Sequence, residues 1–149
     1  MTDAKKVQNL FTSLAEKYEQ DMPEKIEFGD LSGDGLELRI EVELAEDEGV
    51  SAQREDDEQS YPYLVLELLG FPPSGIVATV RLCWWSGGVG QDSVSERQIW
   101  LQTTDEQMAA WFKENSKDFE VAAPFMPIGE QALRVFLRCA KEALSAQVH

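Results

Sequence analysis

Leu36-Glu37-Leu38-Arg39-Ile40-Glu41-Val42-Glu43-Leu44 alternates apolar and charged residues without a break. Successive side chains of a strand point to opposite faces, so Leu36, Leu38, Ile40, Val42 and Leu44 form a dry face and the charges a wet one. A strand wetted on one side belongs to an antiparallel sheet, because a parallel sheet is covered on both sides and reads as continuous apolar runs. The neighbouring segments agree. Ile26 and Phe28 flank Glu27 as a short strand, and Ser32-Gly33-Asp34-Gly35 supplies turn residues before the long one. Tyr63 to Leu69 is apolar except for Glu67, which predicts a strand covered on both sides, with Pro62 at its beginning or on an edge. Ile76 to Trp85 predicts another long strand, and Arg97 to Thr103 a last one.

Helices stand at both ends of this block. Val7, Leu10, Phe11, Leu14 and Tyr18 recur at helical spacing over residues 3–21, and Pro23 stops the helix. Thr104 followed by Gln107 is a capping-box pattern, with Met108, Trp111 and Phe112 on the apolar side. From about Gly129, Leu133, Phe136, Leu137, Ala140 and Leu144 repeat at helical spacing. The expectation is a single α+β domain over 1–149. It has an antiparallel meander of about five strands, with the N-terminal helix and two C-terminal helices packed on one face. No strand–helix–strand alternation signals a parallel nucleotide-binding sheet. A chain of 149 residues buries about 68–70% of its unfolded surface, so it needs neither metal nor disulfide to hold its core.

Charge is the second signal. The chain carries 28 acidic against 13 basic residues, a net charge of −15. Nine carboxylates fall between Glu41 and Glu58 against one arginine, Arg54. A run of like charge stays solvated, which predicts an acidic loop over about 45–60. Phosphate backbones and anionic lipid heads are repelled by such a surface, so ordinary nucleic-acid and membrane binding are disfavoured and a basic protein is the expected partner. The start of the chain has no long apolar stretch, and no run approaches the ~20 residues of a spanning helix, so the expected address is cytoplasmic. Cys83 and Cys139 have no zinc or redox spacing and read as buried thiols, although a single bridge between them is open.

Motifs for chemistry are few. Asp30-Leu31-Ser32-Gly33-Asp34-Gly35 with Glu41 approaches a calcium-loop pattern, but its second half is the alternating strand and Glu37 occupies a position that should be apolar. A hairpin turn is expected there. Gly87 to Gly90 lacks the lysine and hydroxyl of a phosphate loop and reads as a hairpin connection. The sole histidine is His149, so histidine-based catalysis and His-ligated zinc have no support. No catalytic, metal or cofactor residue is assigned, and the chain is read as a non-enzyme.

Cys83-Trp84-Trp85-Ser86 places adjacent indoles on opposite faces of a strand. Either both rings pack under helices or a dimer mate, or one joins Trp100 on an open face as a protein-binding patch. The candidate protein-binding residues are therefore Glu46, Asp47, Glu48, Glu55, Asp56, Asp57, Glu58, Trp84, Trp85 and Trp100. On the last helix, Arg134, Arg138 and Lys141 form a basic stripe, with Glu130–Arg134 and Arg138–Glu142 as expected i,i+4 pairs. The reading these features favour is an acidic protein-binding module that masks or escorts a basic partner, in the manner of an inhibitor, an immunity protein or a chaperone. Two alternatives are a self-associating scaffold, built as a homodimer on the same apolar face, and a carboxylate-based enzyme or small-ligand-binding fold.

Overall fold

The computed structural model describes residues 3–23, 26–27, 36–44, 60–86 and 90–146; at 26–27, 60–61, 84–86 and 90–94 the description is of the backbone. Helix α1, Asp3–Glu19, is followed by strands β1 Ile26–Glu27, β2 Glu37–Glu43, β3 Ser60–Phe71, β4 Gly75–Ser86 and β5 Gly90–Ile99. Helix α2, Asp105–Ser116, a 3-10 turn at Ala123–Phe125 and helix α3, Met126–Ala146, complete the described chain. The strands lie in sequence order as an antiparallel meander, β1-β2-β3-β4-β5. This is an α+β architecture, with three α-helices among the described residues.

The strand count is smaller than the expected five in substance. Four strands are full-length, and β1 contributes only the rungs Ile26↔Val42 and Glu27↔Glu41. The second rung sets two glutamates at opposed positions, an arrangement that disfavours extending the ladder. The last strand also differs from its expected place at 97–103. It runs Gly90–Ile99 and stops where Trp100 N–H donates to Thr103 Oγ1 at 2.9 Å and Thr103 N–H donates back to Trp100 O at 3.1 Å. Gly90-Gln91-Asp92-Ser93-Val94-Ser95-Glu96 has weak strand propensity, so tertiary pairing with β4 overrides it.

Register explains the two faces of the sheet. Leu38, Ile40 and Val42 of β2 lie opposite Leu68, Leu66 and Leu64 of β3. Those in turn lie opposite Ala78, Val80 and Leu82 of β4. All nine are fully buried, in one cluster with Phe11 and Leu14 of α1, Phe112 of α2 and Leu133, Phe136 and Ala140 of α3. The period-2 stripe of the strands and the period-3.6 stripes of the helices thus meet in a single core.

Local chemistry sets the ends. Thr104 caps α2 reciprocally: Gln107 N–H donates to Thr104 Oγ1 at 3.1 Å, and Thr104 N–H donates to Gln107 Oε1 at 3.0 Å. Helix α3 begins at Met126, earlier than expected, because Pro127 in the first turn loses no helical hydrogen bond there. Gly75 closes the β3–β4 turn at φ 140°, a conformation that glycine tolerates and other residues resist.

Candidate protein-binding surface

The second face of the sheet is not a simple wet one. Its rungs read Arg39–Glu67–Thr79–Gln98, then Glu41–Val65–Arg81–Glu96, then Glu43–Tyr63–Cys83–Val94. Tyr63, Val65 and Cys83 form a small buried cluster separate from the main core. Beside it Glu67 is 7% exposed and accepts a short charge-assisted hydrogen bond from Arg81 Nη2. The two residues occupy adjacent rungs of neighbouring strands, a diagonal that long side chains can span. Arg39 pairs with Glu41 at 3.0 Å one rung away. Charges on this face are therefore matched near its centre, while Glu43 and Glu96 on the outer strands are exposed.

Three large apolar side chains are exposed among the described residues: Phe71 (52%), Trp100 (53%) and Leu101 (44%). They belong to one end of the sheet. Phe71 lies beside the β3–β4 turn, Leu69 and Val77 form the rung next to Ala78, and Trp100 follows Ile99, the partner of Ala78. Trp84 and Trp85 belong to the opposite end, where their rungs are Pro62 and Tyr61. Trp85 is eight positions from Val77 along β4, about 26 Å at strand spacing. The sheet therefore does not bring Trp100 together with Trp84 and Trp85.

The acidic candidates Glu46, Asp47, Glu48, Glu55, Asp56, Asp57 and Glu58 lie outside the described residues, as do the turn at Asp30–Gly35, most of the Gly87–Gly90 connection and His149. What topology does establish is where that acidic segment attaches. The chain leaves β2 at Leu44, whose N–H donates to Pro62 O at 3.0 Å, and returns at Ser60, opposite Ser86. Both attachment points are at the Trp84–Trp85 end. Two candidate regions stand at opposite ends of one sheet, where the sequence suggests a single patch.

The helices add a polar clasp. Lys17 Nζ donates to Glu142 Oε1 at 2.6 Å, and Tyr18 Oη donates to the same oxygen at 2.9 Å, tying α1 to α3. The lysine's hydrogen bond holds the Glu142 carboxyl below its usual pKa, whereas burial raises the Tyr18 phenol. This clasp removes Glu142 from the expected pair with Arg138.

Both cysteines are free and buried. Burial pushes the Cys139 thiol up to about 12 and raises Cys83, so neither is poised as a nucleophile. Among the described residues no group of three or more His, Cys, Asp or Glu side chains is gathered to hold a metal, and no helix is long and apolar enough to cross a membrane. The Glu67–Arg81 pair escapes the motif-based reading. Its trace in the sequence is one lone charge in each of two neighbouring apolar strands, Glu67 within 63–69 and Arg81 within 76–85.

The fold and surface thus define a class, an α+β meander with matched charges on the second face and exposed apolar groups at one end. Protein-family models, curated proteins and solved structures were each compared with the chain, and none matches it.

Proposed function

We propose that this chain is a protein-binding module for a basic partner, which it masks or escorts in the cytoplasm without acting as an enzyme. The observation that carries the reading is Trp100, half exposed beside Leu101 in a chain of net charge −15. Long-range attraction by the acidic surface steers a cationic protein toward the molecule, and an indole that loses water on contact then supplies affinity. In this reading the three helices roof the first face of the sheet. The exposed Phe71–Trp100 end of the sheet is left to meet the partner, with no cofactor.

Affinity capture from the source cells at low ionic strength, with wild type and Trp100→Ala side by side, tests it. A strongly basic protein should be retained by wild type, released as salt rises from about 50 to 500 mM across the screening range, and retained several-fold less by Trp100→Ala. Retention insensitive to salt, or equal for the two proteins, overturns the proposal.

A further inference from the structure

A separate feature of α3 points to a small-molecule site. Arg134 and Arg138, one helical turn apart, line a shallow, open cleft of about 510 Å³ with Asp21, Asp105, Gln131 and the buried Val135; all four charged residues are exposed. Three elements of the fold meet there: the turn after α1, the first turn of α2 and one side of α3. Gln131 Nε2 donates to Asp21 O at 3.4 Å across that junction.

Among the described residues the charges in this cleft are unspent. Neither arginine has an ion-pair partner among the described residues, and the Asp21 and Asp105 carboxylates have none. In a chain with 28 acids and 13 bases, an arginine has ample choice of partners. The obvious ones are not engaged: Glu142 is held by Lys17 and Tyr18, and Glu130 makes no pair with Arg134. Two cations and two anions face one concavity, yet none pairs with another.

We infer that this cleft binds a small zwitterion, with an oxyanion group on Arg134 and Arg138 and an ammonium group on Asp21 and Asp105. Guanidiniums at i and i+4 lie about 6 Å apart at their Cβ atoms and bracket one carboxylate or phosphate with charge-assisted hydrogen bonds. A bare polyanion meets repulsion from the two aspartates, and a bare cation meets it from the arginines. A molecule carrying both charges satisfies all four groups, while the floor at Val135 accepts its carbon skeleton. This site is independent of the partner-binding reading, since it uses none of Phe71, Trp100 and Leu101.

The test is amide-resolved NMR titration of the full chain, in low salt and phosphate-free buffer. The probes are two zwitterions, O-phosphoethanolamine and glutamate, with inorganic phosphate and ethanolamine as single-charge comparisons. At least one zwitterion should give saturable shifts centred on residues 21, 105 and 131–138. Arg134→Gln with Arg138→Gln should weaken that binding about tenfold or more, the loss expected of charge-assisted hydrogen bonds. Lys141→Gln, on the same helix but outside the cleft, should leave it unchanged. Asp105→Asn should weaken the zwitterion and tighten inorganic phosphate. Absence of saturable shifts with both zwitterions overturns the inference. So does phosphate binding as tightly as the zwitterion, or an equal loss with Lys141→Gln.

Discussion

Glu67 carries more consequence than its place in an apolar strand suggests. Its carboxylate is buried on the second face and its charge is answered by Arg81, whose own Nε is buried without a hydrogen-bond partner among the described residues. Removing one member of such a pair leaves the other charge in a poorly solvated place. Glu67→Ala should destabilise the fold by about 3 kcal/mol, read as a lower urea midpoint at unchanged m-value. Replacing Glu67 and Arg81 together by Leu and Met should recover most of that loss, because desolvation of both charges is then avoided. Glu142 gives a pH signature. Its folded pKa lies below the unfolded value near 4.3, so its contribution is complete above that value and is lost as pH falls through the lower folded one. Urea midpoints between about pH 6 and 3 should therefore fall less steeply for Glu142→Gln than for wild type. At the alkaline end the signs reverse: Tyr18 and Lys17 are raised, so their share is present below about pH 10 and lost above it.

At the level of elements, the contact between α2 and α3 turns on Gly129. It is buried within α3, where alanine is ordinarily the better helix former by about 1 kcal/mol. A Cβ at this position would run into the Phe112 ring, which is itself fully buried. Gly129→Ala should therefore lower stability by about 1–3 kcal/mol, against the direction set by propensity. Thermal denaturation of that variant beside an exposed α3 substitution such as Gln131→Ala checks it; a stabilised Gly129→Ala would mean the two helices can separate slightly at no cost. Elements with strong periodicity were legible beforehand, α1, β2 and the capped start of α2 above all. The full extent of β5 was not, because Gly90 to Glu96 lacks the β-branched and aromatic residues that mark a strand, and only the ladder to β4 makes it one.

For the molecule as a whole, a net charge of −15 sets up self-repulsion that added salt screens. Raising NaCl from about 20 to 200 mM shortens the Debye length several-fold and should raise Tm, by about 3 °C for each kcal/mol recovered in a chain of this size. A fall in Tm would show that exposed ion pairs such as Lys17–Glu142 outweigh the net repulsion. The candidate surface divides along the same line between chain and fold. Composition and period alone determined the α+β class, the antiparallel sheet and the acidic character, because alternation and charge are local properties that survive without knowledge of neighbours. Only the tertiary structure decided that Trp84 and Trp85 stand at the far end of the sheet from Trp100, that Glu67 meets Arg81, and that Glu142 turns to α1 and leaves Arg138 without an ion-pair partner among the described residues. Those outcomes depend on strand register and helix docking, which are set by how the whole core closes, and no short stretch of the chain encodes them.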